Sequence, residues 1–466
     1  MSNRRKSLAT IAHHSADNRL HRTLGWPHLV ALGIGAIVGT GIYTLIGVGA
    51  ERAGPAVIVA FLVAGLVCAC AALAYAELAT MMPVAGSAYT YTYVAVGEVP
   101  AWFVGWSLIL EYSVVCAAVA VGWSGYAAGF LQSAGIHLPA ALLAGPHAGG
   151  LINLPAVVIV FAVMGMLLIG TRESATVNAI LVAVKLVALA TFVFLAFPAF
   201  SSDNFVPFMP YGFAAVEAGG HSRGVMAAAA IIFFAFYGFD AVSTAAEEAK
   251  NPRRDLIIGI VGSMVACTLI YMAVAAAAVG ALPFGQFATS PEPLAHVLRV
   301  IGHPRAAGLI GAAAVIALPT VILAFLYGQS RIFFVMARDG LLPRRFGRVN
   351  AAGTPVLVTV GTGIVVAIVA GLLPLAEIAE LANAGTLLAF LAVGACMLIL
   401  RRTAPGAERL FRTPLPWLVG PVAILGCLYL FISLPSATQW RFLIWNAVGA
   451  LVYLAYSRRA SRMGHG

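Results

Sequence analysis

Several stretches of this chain, among them the one between Arg52 and Glu77, run for longer than the ~18 apolar residues that mark a membrane-spanning helix. A backbone surrounded by hydrocarbon has to satisfy its own hydrogen bonds, which restricts such stretches to a few closed structures. Composition points the same way. Of 466 residues, 61% are hydrophobic and 9% charged, against about 25% charged in an ordinary soluble domain. A soluble protein is excluded, and the bilayer is the solvent for most of the chain.

Reading the apolar runs against Pro, Gly and charge gives twelve expected spans, near 28–50, 55–80, 98–131, 153–170, 173–198, 225–248, 255–282, 306–335, 355–373, 376–400, 416–435 and 441–457. The expected fold class is therefore an all-α integral membrane protein of about 12 transmembrane helices. No connection is long enough to hold a separate domain. That favours moving a solute within the membrane over receiving a signal through an outside domain.

The formal net charge is +10, and its placement decides its meaning. Of 27 Lys and Arg residues, 21 fall in the tails and in alternate connections (Arg172, Lys250 to Arg254, Arg331 to Arg348, Arg401 to Arg412), five in the remaining connections, and one, Lys185, inside a span. Basic residues are retained on the cytoplasmic side. The bias places both termini in the cytoplasm of a multi-pass protein of a bacterial cytoplasmic (inner) membrane, and argues against a nucleic-acid partner. The six cysteines lie in apolar runs, where Cys acts as a small buried hydrophobe, without disulfide or metal-ligand spacing. All ten histidines lie in tails or loops. With no nucleophile paired to a His and no ligand cluster, neither an enzyme nor a cofactor or metal is expected. The polar, basic amino terminus lacks the short apolar core of a removable signal peptide.

Two spans are interrupted. The first carries Gly33, Gly35, Gly39 and Gly41 around Thr40 at mid-membrane depth. Small residues there suit close helix packing. The Gly39-Thr40-Gly41 step also unwinds at low cost, and unwound backbone is tolerated only where it lines a cavity. The sixth span has a matching interruption, with Gly238 and Asp240 following Phe233 to Tyr237. First helices broken five spans apart are expected of inverted repeats. The organisation expected is a tail (1–27), a ten-helix transport core (28–400) built of repeats 28–198 and 225–400, two peripheral helices (401–457) and a tail (458–466). Free N–H groups near Gly41 would receive a carboxylate. Free carbonyls near Phe234, Ala235 and Phe236 would receive an ammonium. An α-amino acid has both groups. Asp240 either pairs with the substrate amine or caps the following half-helix, and the cap is the preferred reading.

Lys185 lies about thirteen residues into span five, roughly 20 Å along the helix, too deep to snorkel comfortably. It is either a structural cation or, as preferred here, a group that gains and loses a proton during transport. Glu111 is similarly deep in span three and is read as a substrate contact, a proton carrier or a hydrogen-bonding group of the bundle. Glu77, Glu247 and Glu248 are read as interfacial or gating residues.

Three segments carry a resemblance: Gly35 to Ile42, Gly238 to Pro252 and Tyr327 to Pro343. Together they resemble the amino acid, polyamine and organocation (APC) superfamily, in particular bacterial relatives of the cationic amino acid transporters. The resemblance implies a leucine-transporter-type fold with 5+5 inverted repeats and discontinuous helices 1 and 6, and alternating access. It implies substrate binding by Ile37, Gly39, Thr40, Gly41, Phe234, Ala235, Phe236 and Gly238, and proton coupling without sodium through Lys185. One departure is Pro319 in span eight, which removes a helix hydrogen bond and makes the neighbouring Thr320 a candidate pocket residue. The function expected is proton-coupled transport of neutral or broadly accepted L-amino acids. A cationic amino acid or polyamine carrier, or an exchanger, is the alternative. Expected partners are the amino acid, protons and membrane lipid; the sequence does not set the oligomeric state.

Overall fold

A computed structural model describes residues 25–82, 86–169, 175–218, 221–244, 250–348 and 355–461. Twelve principal helices follow one another: α1 (Trp26–Ile37), α2 (Val57–Met81), α3 (Glu98–Ser133), α4 (Leu154–Ile169), α5 (Ala175–Ala196), α6 (Val225–Ile232), α7 (Pro252–Ala281), α8 (Pro304–Arg338), α9 (Val356–Leu372), α10 (Leu375–Thr403), α11 (Pro416–Ile432) and α12 (Ser436–Val452). Six helical runs are individually long and apolar enough to cross a bilayer: Leu45–Met81, Glu98–Ser133, Ala179–Ala199, Arg254–Ala281, Pro304–Arg338 and Leu375–Thr403. The helix pair Pro416–Ile432 and Ser436–Ala460 passes the same test jointly, bent by 111°. The segments around α1, α4, α6 and α9 are apolar but shorter, in two cases because the helix is broken. Two short antiparallel strands, Val216–Ala218 and His221–Arg223, occupy the connection before α6.

Helices apolar on every side have no face to reserve for water. Their outward side chains, such as Leu66 on α2, Leu309 on α8 and Leu451 on α12, are 60–69% exposed, as expected where lipid replaces solvent. Inward positions carry small, aliphatic and aromatic side chains. The longest helix, α3, packs against both α8 and α10 in the interior, with α1 against α7 and α2 beside it. Trp106 and Trp445 bind α3 to α12 by donating to each other's backbone carbonyls at 2.9 and 3.0 Å.

Glu77 at the end of α2 is 1% exposed. It accepts from Arg401 at 2.8 and 2.6 Å, from Arg409 at 3.1 Å and from the Thr413 amide at 2.8 Å. The residue read as interfacial or gating is a buried anchor for the end of α10 and the segment after it. Glu247, Glu248 and Arg172 lie outside the described residues, as does most of the amino-terminal tail.

Candidate functional site

The first span is broken where the glycines cluster. α1 stops at Ile37; Val38 (φ −74°, ψ 98°) and Gly39 (φ −149°, ψ −149°) are extended, and helix resumes as Thr40–Tyr43 and Leu45–Ala53. The break removes the bonds that Gly39 and Gly41 would have made to the carbonyls of Gly35 and Ile37. Both acceptors are taken over by side chains: Lys185 Nζ donates to the Gly35 carbonyl at 3.0 Å, and the Tyr271 hydroxyl to that of Ile37 at 2.8 Å. Beyond the break, Tyr126 donates to the Tyr43 carbonyl at 2.5 Å, and Tyr43 donates to the Lys185 carbonyl at 3.2 Å. The donors have no such replacement. The backbone N–H groups of Gly39, Thr40 and Gly41 meet no acceptor among the described residues, and the Thr40 hydroxyl is buried without a partner.

The sixth span tightens before it breaks. α6 passes into a 3₁₀ turn over Phe233–Phe236, Tyr237 is extended, and Gly238 at φ 107° redirects the chain into a short helix, Phe239–Thr244. A side chain is strained at that φ, and a Cβ on Gly238 would stand 2.6 Å from the Ala36 carbonyl carbon. Gly41 is equally constrained, since its Cβ would lie 2.2 Å from Cα of Ala235. The two breaks therefore touch, backbone against backbone. Of the expected ammonium acceptors, the Phe234 carbonyl holds the Tyr237 amide at 3.4 Å, and Phe236 faces the Cys68 thiol at 3.9 Å. The Ala235 carbonyl meets no donor among the described residues.

A cavity of about 10 Å³ lies between the breaks, room for roughly one water. A larger occupant requires its walls to move. Its floor is Ala36, Ile37, Gly39, Thr40 and Gly41, with Phe234 and Tyr237 from span six; Val115, Val119, Val321 and Phe325 supply an apolar side. No acidic residue lines it among the described residues. Of the residues expected at the site, Glu111, Ala235, Phe236, Gly238 and Thr320 are not among the lining residues, nor is Lys185, whose Nζ bonds to the Gly35 carbonyl. Glu111, 6% exposed, packs against Gly385 with Oε2 unpartnered. The Thr320 hydroxyl donates to its own helix at Ala317, 2.8 Å away. α8 continues through Pro319, and the Val315 carbonyl that Pro319 cannot reach accepts Trp123 Nε1 at 2.9 Å. Asp240 stands in the first turn of the half-helix after Gly238 and accepts the Tyr112 hydroxyl at 3.1 Å.

Asn383 of α10 was not singled out by the sequence reading. Fully buried, it donates to the carbonyls of Ala230 and Ile231 at 2.6 and 2.9 Å, and its Oδ1 accepts the Tyr237 hydroxyl. One amide thus satisfies the end of α6 and orients a cavity-lining ring. The signal was present: an Asn in an apolar span is expensive unless it is used.

The sequence profile of the amino acid permease family matches residues 24–453. The chain is 45% identical to the branched-chain amino acid permease BcaP of Bacillus subtilis, with 99% of this chain and 98% of that protein covered. It is 41% identical to the methylthioribose transporter of the same organism, over 98% of each. It is 38% identical to the vacuolar cationic amino acid transporter 2 of Arabidopsis thaliana, over 87% of this chain and 64% of the relative. These matches and the apolar helices make this a multi-pass membrane transporter rather than an enzyme. The chain belongs to the amino acid permease family of the APC superfamily.

Proposed function

We propose that this permease is a secondary active, proton-coupled and sodium-independent transporter of neutral L-amino acids with apolar side chains, working by alternating access. The observation that carries the reading is the set of unbonded N–H groups at Gly39, Thr40 and Gly41 opening on an apolar cavity. A carboxylate satisfies such donors, and a helix start favours negative charge. The α-ammonium is directed to the Ala235 carbonyl, and the side chain to Val115, Val119, Val321 and Phe325. A cationic side chain would find no carboxylate in this lining. The name of the Bacillus relative, a branched-chain amino acid permease, agrees with the apolar walls. Methylthioribose, named for another relative, has no carboxylate to use the free donors.

Ten core helices in two inverted repeats, with α11 and α12 peripheral, account for matched breaks five spans apart. The basic bias supports a cytoplasmic position for both termini. Lys185 is the coupling group: its bond to Gly35 holds the first half of the broken span, and loss of its proton weakens that hold, biasing one access state over the other.

Uptake of labelled leucine into liposomes containing the purified protein tests this. The rate is expected to rise with an inward proton gradient in sodium-free buffer and to withstand excess arginine. Uptake blocked by arginine would move the assignment to a cationic carrier, and indifference to the gradient would remove proton coupling.

A further inference from the structure

The segment from Tyr327 to Pro343, one of the three that carry the family resemblance, ends on a second cavity that the transport site does not use. It measures about 470 Å³ and lies between Gly340, Leu342 and Arg344 on one side and Tyr456, Arg459 and Ser461 on the other. That volume is within the range of small-molecule sites. Its walls are fixed. Ser457 donates to the Leu341 carbonyl at 2.7 Å, and buried Glu98 accepts Tyr453 at 2.8 Å and Ser461 at 2.5 Å. The nearby Asp339 carboxylate accepts the Tyr89 hydroxyl at 2.7 Å. Neither Arg344 nor Arg459 has an acidic partner within ion-pair distance among the described residues. The wall carrying Tyr456 is a π-helical turn, Tyr453–Ser457, a widening that often accompanies a functional site. The cleft also sits where the apolar surface ends: Leu451 and Leu454 are 67% and 55% exposed, and Arg458 and Arg459 follow.

We infer that this cleft binds a phosphate-bearing anion, with Arg344 and Arg459 as the two arms of the site. Guanidinium groups match phosphate oxygens in pairs and are weakly hydrated, so two of them on opposite walls of one cleft can hold one phosphate between them. The lipid-exposed leucines leading into the cleft favour the headgroup of an anionic phospholipid as the source, bound at the interface with its chains along α12. Free inorganic phosphate offers the same chemistry without the chains.

The test uses the full-length protein in neutral detergent, titrated with short-chain phosphatidylglycerol, short-chain phosphatidylcholine and inorganic phosphate, with thermal stability as the readout. Arg344→Gln/Arg459→Gln is compared with Arg402→Gln, which removes a charge stacked over Trp417 elsewhere. Phosphatidylglycerol is expected to stabilise the parent protein saturably, with an apparent affinity about tenfold or more weaker in the double variant and little changed in Arg402→Gln, as two charge-assisted contacts require. Equal stabilisation by inorganic phosphate, with the same loss in the double variant, supports the anion site and assigns it to free phosphate. Equal response to phosphatidylcholine, no response to any ligand, or equal losses in both variants would overturn it. Should the double variant fail to fold, mass spectrometry of the intact parent protein decides: selective retention of phosphatidylglycerol over phosphatidylcholine supports the site, and unselective retention contradicts it.

Discussion

The two broken spans solve the same problem with opposite remainders. In span one the carbonyls exposed by the break at Gly35 and Ile37 are satisfied by Lys185 and Tyr271, while the N–H groups of Gly39, Thr40 and Gly41 stay open. In span six Asn383 satisfies the last carbonyls of α6, and the Ala235 carbonyl stays open. One break therefore keeps donors on the cavity, whose remaining wall is apolar, and the other keeps an acceptor at Ala235, which packs against Gly41 but is not among the residues lining the cavity. A polar group left unpaired in a buried place costs about 1–3 kcal/mol. Unpaired groups of opposite character on facing backbones are most simply explained by a ligand with a carboxylate and an ammonium.

The largest effect should come from closing the contact between the breaks. Gly41→Ala places a methyl against Cα of Ala235 and Gly238→Ala strains a left-handed backbone. Each should reduce uptake about 100-fold or more, because a ~1 Å displacement of a binding frame already costs about that much. Normal uptake by Gly41→Ala would show that the two backbones need not meet.

Lys185 and Asn383 should separate the spans by what each supports. Lys185→Ala is expected to lose dependence on the proton gradient while retaining substrate binding, measured as uptake with and without the gradient. Retained gradient dependence would leave Lys185 a structural cation. Asn383→Ala leaves two buried carbonyls and the Tyr237 hydroxyl without their partner. It should destabilise the purified protein by about 2–4 kcal/mol and raise KM, with the gradient dependence intact.

Smaller effects belong to the side wall. Val119→Ala should shift the preference toward larger side chains about three- to tenfold, the scale of a methylene or two in an apolar pocket. Thr320→Val should change leucine uptake less than about twofold, because its hydroxyl already serves Ala317 within its own helix and does not line the cavity. A large loss in Thr320→Val would bring that residue back into the pocket.

Much of this site is readable along the chain because its signals are local. Four glycines within nine residues, a Gly two residues before an Asp inside an apolar span and a lone mid-span lysine each depart from the pattern of a uniformly apolar, unbroken membrane helix. What completes them is not local. Asn383 meets Ala230 from more than 150 residues away, Tyr271 reaches back to Ile37, and Trp123 takes the carbonyl that Pro319 frees. Sequence shows that such groups need partners without naming them. Thr320 illustrates the converse: next to a proline it looks available, yet its hydroxyl turns into its own helix. The helices of α1 and α6 are short for the same reason that the spans are functional, so length and hydropathy understate them where the site lies.

The central claim is that the facing breaks require both ends of an amino acid. Binding of leucine to the purified protein, compared with 4-methylpentanoate, which lacks the amine, and isoamylamine, which lacks the carboxylate, tests it most directly. The account predicts that leucine alone raises the thermal stability saturably and that neither single-ended analogue competes at tenfold excess, about the margin a lost charge-assisted bond leaves. Either analogue binding as tightly as leucine would contradict it.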